Sequence, residues 1–482
     1  MVEDGSFKKK VIDGFIWLGT GTFLGQAISW LSTIIIIRLL QPSDYGLMAM
    51  ATTFVALLTT VGELGIGASI IQADKINEND VRLIQGVVLV TSIFGLIICY
   101  LAAPAIAYFY ADPRLIPIIR IMGVVFLLVA FYAIPQSLIV RHMNFRLKAK
   151  VDIFAQVGAA LLTLFLAVQG HAVWSLVVGF LSLHFFKAIG FNLTGHNSGI
   201  PKFGYSSIKR FINFGVTVTG DRLLYNLYIQ VDKIIVGKFL GGGSLGIYAV
   251  ASNLSSIPSE KILPIITQVT FTSYSRIQND LERIRRNILK TIRAIAYPGF
   301  PIFFGMAAVA PEGIPLILGS KWANIVVPFQ MFCMVMPLKS LSTVLPPAIF
   351  AVGKPKINLV NMIINLVVMS VAFTFGVSYG INGVCLMWVL AFPIVFLITC
   401  ARSLKVIEMR LSTFLLEMKF PLILSILMFA FISIMRALFQ IASTLGSLII
   451  FTVLGAAFYF ILIIIFDREG IIKFKEQILT IK

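Results

Sequence analysis

Charged residues are scarce in this sequence. Asp, Glu, Lys and Arg together make up 12% of the 482 residues, whereas hydrophobic residues make up 58%. The mean hydropathy of the chain is strongly positive. A water-soluble domain carries about twice this share of charge, because its surface must face water. The scarcity of charge therefore excludes a soluble fold and predicts an all-α polytopic membrane protein.

Cysteine and histidine are also sparse, with four residues of each. The cysteines form no CxxC pair, and the histidines form no HExxH motif or Cys/His cluster, which argues against a metal site and a disulfide framework. No GxxxxGK(S/T) sequence occurs, so the chain has no P-loop and is not by itself an ATP-driven pump. These absences predict a protein without a bound cofactor or metal.

The charges that are present are mostly positive, with 39 Lys and Arg against 21 Asp and Glu and a formal net charge of +18. Most of the basic residues lie in alternate loops, such as 141–150, 276–293 and 402–419, while the loops around Pro42 and Gly380 carry few. Cytoplasmic loops of membrane proteins show this enrichment. The charge therefore reports topology rather than nucleic-acid binding, and it places both termini in the cytoplasm.

Apolar stretches long enough to cross a bilayer follow one another along the chain. The first, from Phe15 to Ile37, follows a cluster of lysines and is too long for the core of a signal peptide. In all, the lengths predict about fourteen transmembrane helices. The other approximate bounds are 45–71, 83–110, 115–140, 151–169, 172–193, 208–240, 245–274, 288–310, 325–350, 357–379, 381–400, 420–438 and 445–466.

The first half of the chain recurs in the second half with an offset of about 200 residues. RLLQPSDYGLMAMA from Arg38 aligns with KFLGGGSLGIYAVA from Lys238, so that Gly46 matches Gly246. In this alignment glycines 241–243 form the tight outer turn between the seventh and eighth spans. Whole repeats of this kind are typical of secondary transporters, whose substrate path runs between the repeats. The predicted parts are a six-helix lobe over 1–200, a second six-helix lobe over 201–405, and two additional helices with a tail over 406–482.

The seventh span concentrates charged residues, each of which costs about 2.5 to 3.5 kcal/mol in lipid. Asp221 and Asp232 are eleven residues apart, about three helical turns, and so are Arg222 and Lys233, which places each pair on nearly one face. Asn226 extends the line of basic residues. Because two cations on one face suit an anionic ligand, Arg222, Lys233 and Asn226 are candidates for substrate binding.

Further candidates lie on other predicted spans. Gln26 occupies the corresponding face of the first span, and Arg120 lies one turn into the fourth, where snorkelling to the interface is the alternative. Glu63 and Glu260 take nearly corresponding positions in the two halves, and buried carboxyl groups can titrate near neutral pH. The alternative for the acids is a local ion pair. The candidates for gating or ion coupling are Glu63, Asp221, Asp232 and Glu260.

Three segments resemble a known family. RLLQPSDYGLMAMATTF with GELGIGASIIQ resembles the opening of Wzx-type polysaccharide exporters, within the multidrug/oligosaccharidyl-lipid/polysaccharide flippase superfamily. VDKIIVGKFLGGGSLGIYAVA resembles the start of their second half, although a turn rich in acids or alanine is more usual than glycines 241–243. IVRHMNFRLKAKVDI resembles their basic loop after the fourth span.

The resemblance implies two six-helix lobes that open a central cavity to either side of the bacterial inner membrane in turn. The implied cargo is an oligosaccharide linked to polyprenyl diphosphate, moved from the cytoplasmic to the periplasmic leaflet of the lipid bilayer. Polysaccharide polymerase and assembly proteins are the implied partners. No binding residue of the family carries over to Arg222 or Lys233, whose assignment rests on helical spacing.

Two other classes of function stay open. A cation-coupled multidrug exporter of the same fold calls for an acidic, aromatic cavity, whereas the seventh span mixes both signs of charge. A membrane-embedded glycosyltransferase or ligase calls for paired acids in a large outer loop, and the predicted outer loops are short. We therefore expect a transporter rather than an enzyme, driven by a proton gradient, a sodium gradient or the membrane potential alone.

Overall fold

The computed structural model describes residues 31–62, 70, 76–195, 200–203, 209–276, 280–439, 444–468 and 470–471, without the side chains at 61–62, 209–219, 221–222 and 261–276. Over these residues the chain is helical and contains no strand. The predicted all-α class is therefore confirmed. Glu63 and Gln26 lie outside the described residues, and the side chains of Asp221 and Arg222 lie outside the described side chains.

The helices are numbered here in chain order. They are α1 (31–39), α2 (Pro42–Gly62), α3 (Glu78–Tyr110), α4 (Leu115–Met122), α5 (Val125–Arg141), α6 (Phe145–Val168), α7 (Val173–Asn192), α8 (Lys209–Arg276), α9 (Leu281–Ala308), α10 (Ala310–Leu318), α11 (Val326–Ser342), α12 (Leu345–Ala351), α13 (Pro355–Gly376), α14 (Gly380–Val406), α15 (Leu411–Leu438) and α16 (Thr444–Phe466). Short 3₁₀ turns, Ser320–Ile325 and Val377–Tyr379, precede α11 and α14.

Many of these helices have the length and composition of membrane spans. The described chain contains nine stretches long and apolar enough to cross a membrane, or ten if α9 and α10, which are bent by 71° at their junction, count as one span. The chain is therefore a multi-pass membrane protein, as the composition predicts. About fourteen spans are compatible with this number, and that count stays a prediction.

A single residue interrupts α8. Gly241 has φ 77° and ψ 178°, which are not helical values, so α8 consists of a first half before Gly241 and a second half after it. A positive φ is readily adopted only by glycine. The predicted turn between the seventh and eighth spans is thus one residue, Gly241, rather than 241–243. The break between α1 and α2, at Leu40 and Gln41, takes the matching place in the first repeat.

The chain divides into two compact units, unit 1 over Met1–Gly246 and unit 2 over Ile247–Lys482. In unit 1, α6 and α7 pack closely because glycines of α7 leave room for side chains of α6. A Cβ at Gly179 would lie 1.9 Å from the Thr163 hydroxyl oxygen, and one at Gly190 would lie 2.6 Å from a methyl carbon of Val151. Small residues permit such close approach of helices in a membrane. The predicted lobe boundaries at 200 and 405 stay predictions.

Unit 2 has an aromatic core and a half-buried ion pair between two of its helices. The indole N–H of Trp388 donates to the Tyr248 hydroxyl at 2.7 Å, and Tyr248 meets Phe332 edge to face. The C-terminal helix α15 packs along α9 and α16 packs on α15. The Arg293 guanidinium on α9 reaches the Glu417 carboxylate on α15 at 2.6 Å. The two additional helices are therefore integral to unit 2.

Candidate functional site

The first half of α8 carries polar side chains inside unit 1. Asn226, Gln230 and Lys233, here called the α8 polar face, follow one another at helical spacing and are all half-buried. The Asn226 amide donates to the Thr60 hydroxyl of α2 at 2.7 Å. The Gln230 amide oxygen is buried and has no hydrogen-bond partner among the described residues. Buried polar atoms are normally hydrogen-bonded, so this face combines an amide and an ammonium group with an amide oxygen that can still accept a hydrogen bond.

Asp232 lies off this face. It is only 5% exposed, and its carboxylate accepts the backbone N–H of Lys233 at 2.7 Å. The neighbouring Tyr225 is by contrast 53% exposed. Of the predicted substrate-binding residues, the structure therefore places Asn226 and Lys233 on one face of α8, with Asp232 buried beside them.

Arg120 and Glu260 belong to other parts of the molecule. The Arg120 guanidinium lies 4.1 Å from the centre of the Tyr100 ring, and its Nε has no hydrogen-bond partner within the described part of the chain. Arg120 therefore stacks on an aromatic ring of α3 and is not part of the α8 polar face. Glu260, in unit 2, is exposed and accepts a hydrogen bond from the Ser256 hydroxyl at 2.6 Å.

The two repeats meet at glycines. A Cβ at Gly46 would lie 1.7 Å from the carbonyl oxygen of Gly242, and a Cβ at Gly246 would lie 1.7 Å from that of Pro42. The two contacts are equivalent under the offset of the repeat, since 42 and 46 correspond to 242 and 246. We call these four residues the glycine crossing. The start of α2 and the start of the second half of α8 thus touch through their backbones.

Aromatic residues at the end of α3 pack beside the glycine crossing. The Lys238 ammonium donates to the carbonyl of Phe109 and lies 4.7 Å from the centre of its ring. A Cβ at Gly237 would lie 2.8 Å from the Tyr110 ring. Phe54 of α2 meets the rings of Phe109 and Tyr110 edge to face. This end of unit 1 is therefore tightly closed.

Unit 2 contains an apolar pocket of about 620 Å³ between α9, α15 and α16. Its walls include Pro301, Gly305, Met428, Phe451 and Gly455. Two charged pairs lie about one helical turn from residues of the lining. They are Arg293 with Glu417, and Arg436 with Glu312, each at 2.6 Å. A pocket with an almost entirely apolar lining suits a hydrocarbon chain.

Several intramembrane charges in the described helices were not among the predicted candidates. These residues can be found in the sequence as charges within apolar spans, but the sequence does not show which acid pairs with which base. They include Glu312 and Arg436 beside the pocket, Lys339, which lies 4.2 Å from the centre of the Trp388 ring, and the trio Lys148, Asp152 and Lys187.

A family model described as "Polysaccharide biosynthesis protein" matches residues 35–327 of the chain. Among individual relatives, the lipopolysaccharide biosynthesis protein WzxC of Escherichia coli is 23% identical over 355 residues, which is 73% of this chain and 72% of the relative. The teichuronic acid biosynthesis protein TuaB of Bacillus subtilis is 24% identical, with 66% of each chain covered. These matches confirm the resemblance inferred from the repeat segments.

Solved structures share the fold. The lipid II flippase MurJ, in an inward closed conformation, has a TM-score of 0.76 at 15% identity, over 95% of this chain and all of that one (100%). An inward-facing multidrug resistance transporter of the MATE family has a TM-score of 0.62 at 14% identity, over 82% of this chain and 99% of that one. The predicted flippase and MATE-like fold is therefore confirmed.

Proposed function

Because this chain belongs to the family of polysaccharide biosynthesis proteins, we propose that it is a flippase for oligosaccharides linked to polyprenyl diphosphate. It moves these lipid-linked repeat units from the cytoplasmic to the periplasmic leaflet of the inner membrane by alternating access. The α8 polar face carries this proposal, since amide and ammonium groups inside an apolar unit suit a glycan and a diphosphate.

The substrate has a polar head and an apolar tail, which require different surroundings. A glycan with a diphosphate does not cross hydrocarbon unaided, because each buried polar group costs several kcal/mol and each charge far more. Lys233 and Asn226 offset part of this cost by binding the head. In unit 2, the pocket between α9, α15 and α16 has an apolar lining that suits a polyprenyl chain.

The membrane potential favours this direction of transport. A potential that is negative inside lowers the free energy of moving an anionic head outward by about 2.3 kcal/mol per charge per 100 mV. In this proposal both termini lie in the cytoplasm, as the basic loops predict. The chain hands its cargo to the polymerase and assembly proteins and does not itself form or break a covalent bond.

A second candidate function is export of cationic drugs, favoured by the likeness to MATE transporters. That likeness concerns the fold alone. A cationic drug calls for acids on the substrate face, whereas the α8 polar face presents amides and the Lys233 ammonium. The two proposals therefore predict cargoes of opposite charge.

Purified protein in lipid vesicles tests the proposal. We expect it to move a defined polyprenyl-diphosphate oligosaccharide across the bilayer, measured by the accessibility of the glycan to a lectin or glycosidase. Separate arms impose a proton gradient, a sodium gradient or a potential alone. Lys233→Ala should lower the rate about tenfold, because it removes a charged contact with the diphosphate.

A drug exporter would give a different result in the same vesicles. Vesicles that leave the glycan inaccessible under all three gradients, yet expel a cationic dye, would replace the flippase by the drug exporter. An exposed lysine of the cytoplasmic end, changed in Lys356→Ala, is the matched control and should leave transport unchanged.

A further inference from the structure

Three charged residues meet between α6 and α7 of unit 1. The Lys148 ammonium lies 2.6 Å from one carboxylate oxygen of Asp152, and the Lys187 ammonium lies 3.4 Å from the other. We call these residues the lysine clamp. One carboxylate thus contacts two ammonium groups, so the cluster keeps a net positive charge.

The lysine clamp faces away from the apolar outer sides of its helices. Lys187 is two residues from Phe185 and two from Ile189, which is about 200° around α7. Phe185 and Ile189 are 50% and 38% exposed, as expected for residues that face lipid. Asp152 is likewise two residues, about 200° around α6, from Phe154, which is 56% exposed.

The side chains of the clamp are nevertheless accessible. The side chain of Lys148 is 33% exposed, that of Lys187 is 21% exposed and that of Asp152 is 18% exposed. Charged groups that point away from lipid and stay partly exposed must face a space that water enters, because burial without water costs several kcal/mol. The clamp therefore lies at a water-accessible wall of unit 1.

The clamp lies near the helix ends that adjoin the basic segment 141–150. Lys187 precedes the end of α7 by about 8 Å, and Asp152 follows the start of α6 by about 10 Å. The loop that leads into α6 is the basic segment 141–150, which the positive-inside rule places in the cytoplasm. We therefore expect the clamp to lie near the phosphate groups of the inner leaflet.

A second polar pair lies close by on α7. The Tyr132 hydroxyl of α5 and Nδ1 of His184 are 2.9 Å apart, and His184 is one turn before Lys187. The Asn192 amide donates to the carbonyl of Phe131 at 2.9 Å. These polar groups are paired with one another or with backbone carbonyls, so the two lysines are the groups that would bind an anion here.

We propose that the lysine clamp is a binding site for a phosphate or diphosphate head on the cytoplasmic side of unit 1. While the site is empty, the Asp152 carboxylate pairs with both ammonium groups and holds the lysines in place. An arriving anion competes with Asp152 for these ammonium groups and replaces it as their partner. That the anion is the diphosphate of the cargo rests on the proposed function. The existence of the site does not.

A purely structural role of the trio predicts a different effect of Asp152 variants on anion affinity. If the trio only joins α6 to α7, loss of Asp152 and loss of Lys187 break the same link and have the same effect. If the trio binds an anion, the two changes act in opposite directions. Lys187→Gln then weakens binding, whereas Asp152→Asn removes the competing carboxylate and strengthens binding.

Titration calorimetry on the full-length protein in nanodiscs tests this proposal, with farnesyl diphosphate as the probe and farnesol as its uncharged counterpart. Lys148→Gln and Lys187→Gln should each weaken farnesyl diphosphate binding about tenfold, as expected for one charged contact. Asp152→Asn should strengthen binding about fivefold, because the competing ion pair is gone. Lys187→Arg should keep the wild-type affinity.

The controls separate the site from general charge and from folding. Lys356→Gln removes one exposed positive charge at the cytoplasmic end and should leave the affinity unchanged. Farnesol should bind all variants alike. The thermal unfolding midpoint of each variant, measured without ligand, identifies any that fold poorly, and Lys187→Arg then still tests the site because it retains the charge.

Two lipid compositions distinguish the sources of the phosphate. Equal affinity in phosphatidylcholine and phosphatidylglycerol nanodiscs assigns the clamp to a diphosphate, while weaker binding in phosphatidylglycerol that Lys187→Gln abolishes assigns it to a lipid head group. Affinities that do not respond to any clamp variant, or that fall alike for Lys187→Gln and Asp152→Asn, would overturn the proposal. Because the readout is binding, these outcomes are independent of whether vesicles transport the glycan.

Discussion

Arg436 illustrates how a single charge is accommodated within an apolar helix. Its Nε donates to one oxygen of Glu312 at 2.6 Å and its Nη2 to the other at 3.0 Å, an arrangement that joins α15 to α10. The guanidinium also donates to the carbonyl of Ala308. The Glu312 side chain is only 11% exposed, so water screens this pair weakly. Loss of either Arg436 or Glu312 therefore leaves the other charge without its counter-ion in a weakly screened environment.

Glu312→Gln should destabilise the protein by about 1 to 3 kcal/mol, because it leaves a half-buried guanidinium without its counter-charge. The double change Glu312→Leu with Arg436→Leu should recover most of that loss, since neither charge is then buried alone. Thermal unfolding in detergent measures both effects.

The pair between Arg285 and Glu408, 3.1 Å apart, is the matched control. The Glu408 side chain is 72% exposed, so Glu408→Gln should cost less than about 1 kcal/mol. Equal losses for Glu312→Gln and Glu408→Gln would contradict the role assigned to burial.

At the scale of elements, the glycine crossing brings the start of α2 into backbone contact with residues 242–246 of α8, within unit 1. No side chain fits at Gly46 or Gly246, because even a Cβ would lie 1.7 Å from a backbone oxygen of the other helix. Backbone atoms do not yield to relieve such an overlap as a flexible side chain does. A closed arrangement of this end of unit 1 therefore requires glycine at both positions.

Gly46→Ala and Gly246→Ala should each separate the two helices and admit water at the crossing. Labelling of a cysteine introduced at Leu47, which is 2% exposed, by a membrane-impermeant maleimide measures that opening. Labelling should be low in the parent Leu47→Cys protein and rise several-fold with either alanine.

Gly243→Ala provides the control, since a Cβ at Gly243 meets nothing within 4 Å. It should leave the labelling low. Unchanged labelling in both Gly46→Ala and Gly246→Ala would show that the crossing is not what keeps Leu47 buried.

For the whole molecule, the basic loops predict which side of the membrane each loop occupies. Ser320, between α10 and α11, and Lys356, at the start of α13, are both exposed and lie at opposite ends of the intervening helices. The positive-inside rule places Lys356 in the cytoplasm and Ser320 outside.

A cysteine at Ser320 should react with an impermeant maleimide on intact cells, and one at Lys356 only after the membrane is opened. The four native cysteines, Cys99, Cys333, Cys385 and Cys400, are buried and should contribute little background. Labelling of the Lys356→Cys protein on intact cells would reverse the proposed topology and with it the direction assigned to transport.

Sequence alone determined the class of protein, the repeat and the break in α8. Scarce charge and long apolar runs force helices in a bilayer, since every backbone polar group must be satisfied within the span. The offset between Gly46 and Gly246 marked the two repeats, and the glycines at 241–243 marked the turn that the structure narrows to Gly241. These features are local in the chain, so local chemistry suffices to predict them.

Only the tertiary structure decided which polar groups meet. Lys148 and Asp152 are four residues apart on one helix, so their contact follows from helical spacing. The contact of Lys187 with the same carboxylate does not follow from the sequence, and neither does that of Asn226 with Thr60. In an apolar medium a polar side chain is stabilised by contact with another polar group, and the sequence offers each side chain several chemically equivalent partners. The packing of the helices selects among those partners, because it fixes which faces lie within a few ångströms of each other.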